Sequence, residues 1–147
     1  MTLADISEAV PRYEDDFVLW AETQAALLRR RQFNALDIAN LTEEIASMVR
    51  HERRALKHRL EILLAHLLKC EHQPERHTRS WDSTIIEQRE RIADILTDSP
   101  SLRTHLSEVL PRAYQHAANM AAAQTGIPRG NFAKDCPYSL AEILEPT

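Results

Sequence analysis

Residues 37–71 read DIANLTEEIASMVRHERRALKHRLEILLAHLLKCE. The apolar members of this stretch, Ile38, Leu41, Ile45, Met48, Val49, Leu56, Leu60, Leu63, Leu64, Leu67 and Leu68, recur at three- and four-residue steps. That is the period of an α-helix with one greasy stripe. It predicts a long helix that opens near Asn34 or Asp37, ends near Glu71, and keeps one face continuously buried. At 1.5 Å per residue such a helix reaches about 50 Å, long for a chain of this size, so a bend or break is expected around Ser47–Glu52. No Pro or Gly stands inside the stretch to place it.

Working outward, Asp15 and Asp16 offer a helix start, and Phe17, Trp20, Ala21, Gln24, Leu27 and Leu28 return once per turn, which predicts a first helix from about Tyr13 to Arg31. Arg29, Arg30 and Arg31 then fall in its last turn, where cations oppose the negative end of the helix dipole. On the other side, Gln73–Arg79 reads as a linker, because Pro74 lacks a backbone donor and disfavours helix at Gln73. A third helix is expected from near Ser80, carried by Trp81, Ile85, Ile86, Ile92, Ile95 and Leu96. Ser99 followed by Pro100 is a start signal for a fourth, which runs to Thr125 before Gly126 and Pro128 stop it. Pro111 lies inside that fourth helix and either kinks or splits it. The alanines of residues 117–123 suggest close helix–helix approach. Ser139-Leu140-Ala141-Glu142 has capping-box spacing, so a short helix from Ser139 to Leu144 is expected. Its apolar side, with Phe132, Tyr138, Leu140, Ile143 and Leu144, closes one end of the bundle or reaches a partner chain.

The fold class is therefore all-α: a helical bundle of four principal helices with a long second helix and a short C-terminal helix, in a single domain over residues 1–147. Composition agrees. The 147 residues are 44% hydrophobic and 27% charged, with 2 Gly against 7 Pro, which suits a globular chain poor in tight hairpins. A formal net charge of −4 argues against a protein whose main task is coating nucleic acid or anionic lipid. Cys70 and Cys136 have no partner at metal-ligand spacing, and a chain of this length does not depend on a disulfide, so a cytoplasmic location is expected. The first eight residues lack the basic and apolar parts of a secretory signal. Ile62–Leu68, the most apolar run, is far short of the roughly 20 residues a membrane span requires.

No phosphate loop, dinucleotide glycine pattern, nucleophile elbow, Cys-x-x-Cys pair or His-Glu-x-x-His motif occurs. This counts against an enzyme and implies no cofactor, although a site assembled from several helices need leave no local motif. Glu44, His51 and His58 stand seven residues apart with His66 eight further on, nearly along one stripe of the long helix. Imidazoles about 10 Å apart in helix rise do not share a small ion, so a metal site there needs ligands from elsewhere, such as His105 or His116. Surface histidines are the plainer reading.

Residues 50–79 hold Arg50, Arg53, Arg54, Lys57, Arg59, Lys69, Arg76 and Arg79 against Glu52, Glu61, Glu71 and Glu75, a local balance of +4. Such a face attracts an acidic partner or nucleic acid, or is simply solvated. Trp81 and Arg89, eight residues apart, read as a core anchor with a surface ion pair, and suit an interface equally well.

Together, Tyr13-Glu14-Asp15-Asp16-Phe17 with Trp20, Asn40-Leu41 with Glu43-Glu44-Ile45, Leu63-Leu64 with His66-Leu67-Leu68-Lys69, Ser80-Trp81 with Ile85 and Gln88-Arg89, Ser99-Pro100-Ser101-Leu102, and Cys136-Pro137-Tyr138-Ser139-Leu140 with Glu142-Ile143-Leu144 resemble the bacterial family catalogued as domain of unknown function twenty-nine. The resemblance spans nearly the whole chain. Cys70-Glu71-His72 stands where the family leads one to expect an aromatic, and Tyr138 where a Trp is frequent. The resemblance implies a small helical bundle and supplies no activity, cofactor or catalytic residue. The functional expectation is a cytoplasmic interaction or regulatory module whose partner is a second copy or another protein. A metal-binding or enzymatic bundle ranks behind it, then a nucleic-acid binder acting through the basic helix face, and no membrane partner is expected.

Overall fold

The computed structural model describes residues 11–145. Among them are five α-helices, α1 (Phe17–Arg29), α2 (Ile38–His72), α3 (Arg79–Asp98), α4 (Leu102–Thr125) and α5 (Leu140–Leu144), with short 3-10 turns at Phe33–Ala35, Pro74–Arg76 and Arg129–Asn131 and no strand. The chain is all-α, as the periodicity requires. It divides into two compact units, one ending at Val49 and one beginning at Arg50, so α2 contributes to both.

In the first unit, α1 opens four residues later than Tyr13. Residues Tyr13–Asp15 form a turn in which the Asp15 and Asp16 amides both donate to the Arg12 carbonyl, and the Asp16 carboxylate caps the helix by accepting from the Leu19 amide at 3.0 Å. The arginine run is placed differently from expectation. Only Arg29 lies in the last turn; Arg31 sits beyond the helix in the left-handed region, φ 57°. The Gln32 amide reaches back to Leu27 O at 2.9 Å and the Arg31 amide to Leu28 O at 3.0 Å, a Schellman closure. That closure, usually given to glycine, turns the chain back toward α2.

The second unit is built on a shared core. Leu56, Leu60, Leu63, Leu64, Ala65 and Leu68 of α2, Ile85, Ile92 and Leu96 of α3, and Leu102, Leu106, Tyr114 and four alanines of α4 form one cluster that Phe132 and Ile143 of the C-terminal segment complete. Ala113, Ala117, Ala118 and Ala121 have no exposed surface, which is the close approach their small size allows. Tyr114 donates from its hydroxyl to Ala133 O at 2.5 Å, and Arg129 spans Asn119 Oδ1, Gln115 Oε1 and Ala133 O, so the segment after α4 is bound down onto it. The apolar C-terminal side thus docks on its own chain.

Three expectations are corrected, and the choice left open at Pro111 is narrowed. The break around Ser47–Glu52 is absent: α2 runs uninterrupted for 35 residues, as a stretch without Pro or Gly permits. Pro111 does not split α4, because it sits on the water side, where the Ser107 carbonyl it leaves without an amide partner can be solvated. Ser99 does not start α4 but ends α3, its amide bonding Ile95 O at 2.8 Å, and α4 begins at Leu102 after Ser101. Finally, the greasy face of α2 is not buried throughout. Every fully buried residue of this helix lies at Leu56 or beyond, whereas Ile38, Ile45, Met48 and Val49 are exposed.

Candidate interaction surface

The first unit is held by one polar clasp and one aromatic cluster. Asp37, directly before α2, accepts from the Trp20 indole at 3.0 Å and from the Asn40 side-chain amide at 2.8 Å, while its own backbone amide donates to Gln24 Oε1 at 2.8 Å. Trp20 and Gln24, one turn apart on α1, are its buried residues. The bond from the Asn40 side chain, helped by those from the Trp20 indole and the Asn40 backbone amide, outweighs the opposing effect of desolvation and holds the Asp37 carboxyl below the usual carboxylate range. Tyr13 packs edge-on against Trp20 at 4.9 Å and Phe17 at 5.7 Å, and its hydroxyl donates to Glu44. That bond to an anion, together with burial, raises the Tyr13 pKa.

What the clasp leaves outward includes a concentration of apolar side chains. Of the ten large hydrophobic side chains exposed among the described residues, nine lie between Phe17 and Val49; Ile86 is the tenth. Val18 is 65% exposed, Met48 65%, Ile45 62% and Phe33 58%. At about 100° per residue, Phe17, Val18, Ala21, Ala25 and Leu28 fall within roughly 100° of one another on α1, beside the Trp20 and Gln24 face that the clasp buries. On α2, Ile38, Leu41, Ile45 and Met48 follow three-four-three spacing, the spacing of a coiled-coil seam. Single exposed hydrophobics are ordinary; a concentration of them makes this surface the candidate.

The other candidate residues are not gathered into a reaction centre. Glu44 accepts from Tyr13, His51 and His58 point to solvent, and half-buried His66 sets its Nδ1 2.9 Å from Ile62 O, one turn back on the same helix. Burial lowers the His66 pKa. His116 lies 3.0 Å from Glu61 Oε1 and 3.4 Å from Lys57 Nζ. Among the described residues no three His, Cys, Asp or Glu side chains come together as metal ligands. Arg50, Arg53 and Arg54 are exposed at one-turn spacing, and Lys57, next on that face, is held by Glu61 at 3.3 Å. Both cysteines are free, with thiol pKa values pushed up by burial, so neither is an activated nucleophile.

Trp81 and Arg89 are engaged locally, in roles that spacing alone does not disclose. Trp81 is half-buried beneath Lys69 Nζ, 4.6 Å from its ring centroid, and beside His77. Arg89 makes no ion pair among the described residues; it donates to Ile143 O at 2.9 Å and Glu142 O at 3.4 Å, satisfying the free carbonyl end of α5. A cleft of about 430 Å³ beside it is walled by Ile92, Leu96, Arg103, Leu140 and Leu144.

The model of the family described as Domain of unknown function DUF29 matches residues 12–147. No curated protein and no solved structure matches the chain.

Proposed function

The chain belongs to the DUF29 family, and we propose that it acts as a helical protein-interaction module that self-associates through its first unit. The observation that carries this reading is the concentration of exposed apolar side chains in residues 17–49, nine of the ten on the described surface. Water-exposed Val, Ile, Met and Phe on one short segment are favourable to cover, at about 25 cal/mol for each Å² removed from water. The clasp at Asp37 supports the reading from the other side, because it fixes the segment that presents them. We place the module in the cytoplasm, since both thiols are free and the fold does not depend on oxidation.

Sedimentation velocity of the full chain between about 1 and 100 µM tests the reading, since a small hydrophobic interface falls in the micromolar range. A concentration-dependent dimer is expected. A chain that stays strictly monomeric across that range overturns it.

A further inference from the structure

We propose that the arginine face of α2, with the adjoining flank of α4, binds the phosphate backbone of a duplex nucleic acid without reading its sequence. This site belongs to the second unit and stands apart from the self-association of the first. There α2 and α4 run side by side in the same direction. His116 lies 3.4 Å from Lys57 Nζ and 3.0 Å from Glu61 Oε1, the Lys69 ammonium donates to Gln124 Oε1 at 3.1 Å, and the Gln73 side-chain amide donates to Thr125 O at 3.5 Å. One turn before the Lys57–His116 contact stand Arg53 and Arg54 on α2 and Arg112 on α4. All three are exposed, and among the described residues none of them makes an ion pair. Arg50, a further turn back on α2, is exposed as well.

At about 100° per residue, Arg50, Arg53, Arg54 and Lys57 fall within roughly 100° of one another, on the side from which Lys57 and Glu61 reach α4. Glu52 falls on the opposite side of the helix. The acids on this surface are Glu61, already engaged by Lys57 and His116, and Glu108, one turn before Arg112. Five cations therefore share a face with two carboxylates, in a chain whose net charge is −4. Like charges at three- and four-residue spacing work against a helix, and a polyanion laid along them reverses that effect.

The occupant is a phosphate backbone, because the face is cationic and lacks apolar anchors. Of the ten large hydrophobic side chains exposed among the described residues, nine precede Arg50 and the tenth is Ile86 of α3. A protein interface centres on buried apolar and aromatic anchors, and a helix lying on a membrane inserts an apolar face. Phosphate contacts require only fixed donors, and the guanidinium fork suits them best. The duplex is favoured over a single strand for a related reason. Helix α2 carries no Phe, Tyr or Trp, and Tyr114 of α4 is buried, so no ring is offered for unstacked bases to lie on. From Arg50 to Lys57 the row rises about 10 Å, the axial length of about three phosphates of one strand, and Arg112 adds a contact from the second helix.

The test is fluorescence anisotropy of a labelled duplex DNA of about 20 base pairs titrated with the full chain. Micromolar binding is expected at about 50 mM salt, and about four neutralised phosphates should weaken it about a hundred-fold by 200 mM. Two duplexes of unrelated sequence should bind within about three-fold of each other, because phosphate contacts carry no sequence information. Arg53→Glu/Arg54→Glu should bind at least about ten-fold more weakly with a salt slope lower by about two, and Arg112→Glu several-fold more weakly with a slope lower by about one. The control Arg76→Glu/Arg79→Glu makes the same charge change at exposed positions beyond the far end of α2, and should stay within about two-fold of the parent chain. Circular dichroism checks that each variant keeps its helices. If the duplex does not bind at low salt, or the control loses as much as Arg53→Glu/Arg54→Glu, the site is overturned. If poly-glutamate displaces the duplex at equal charge, the face is one for acidic protein segments and the nucleic-acid assignment is overturned.

Discussion

Removing the Asp37 side chain tests the clasp most directly. In Asp37→Ala the buried Trp20 indole loses its acceptor at 3.0 Å and the Asn40 amide loses one at 2.8 Å. The first turn of α2 also loses a cap, though a weak one, since the Asn40 backbone amide is 3.4 Å from Oδ1. A lost cap typically costs about 1 kcal/mol and an unsatisfied buried donor about 1–3 kcal/mol, so the first unit should lose roughly 2–4 kcal/mol. Asp37→Asn keeps the shape and one acceptor oxygen and should lose about half as much. Urea unfolding followed by Trp20 fluorescence in a Trp81→Phe background reads the unit locally. The carboxylate form is favoured in the fold, so its contribution is present above the ordinary carboxylate pKa near 4 and is lost as pH falls through the lower folded value. Parental stability should therefore drop on acidification more steeply than that of Asp37→Asn. A loss under about 0.5 kcal/mol in Asp37→Ala refutes the reasoning, because it means that water replaces the clasp at no cost.

Gly126 closes α4 at φ 76° with no atom near its missing Cβ, so Gly126→Ala should cost about 1 kcal/mol through backbone strain alone, whereas Gly130→Ala, at ordinary φ and equally open, should be neutral or slightly stabilising; thermal unfolding compares the two. Arg89→Lys should deprotect the amides of residues 140–144 in hydrogen exchange nearly as much as Arg89→Ala, since an ammonium cannot reproduce the two-point guanidinium contact with Glu142 and Ile143; full rescue by Lys contradicts that role. Burial favours neutral His66, so an unfolded chain takes up its proton first as pH falls below about 6.5, and stability should decline from there down to the lower folded pKa. A His66→Gln variant should show a flatter pH profile over that window, and an unchanged slope refutes the assignment.

The helices were legible because their causes are local: one apolar residue per turn, Ser139 with Glu142, Pro74 after His72, and Gly126 after Thr125. Where several local signals competed, sequence misplaced the boundary. Ser99-Pro100 carries a start signal, but Ser99 closes α3 through its amide on Ile95 O. Residues 99–103 make the tighter three-residue bonds of a turn, Leu102 N to Ser99 O and Arg103 N to Pro100 O, and the regular helix starts at Leu102. Periodicity also reports that a face is apolar without reporting what covers it. Leu56 and Ile45 look alike in that pattern; one lies in the core of α2, α3 and α4 and the other faces water. The clasp was harder still to read, because Gln24 and Asp37 are polar residues whose burial depends on a turn reversed by Arg31, and no spacing rule joins positions 13 residues apart through a left-handed arginine.

The way Phe132 and Ile143 complete the core of the second unit bears on the order in which this protein is made. Synthesis delivers α2, α3 and α4 before either residue exists, so the nascent chain passes through a stage in which the leucines of three finished helices have neither plug in place. That stage ends only when the segment with Arg129, the Ala133 carbonyl and α5 has been added. Transiently uncovered apolar surface of this kind is aggregation-prone, so a chain cut before Phe132 should be less soluble than the full one.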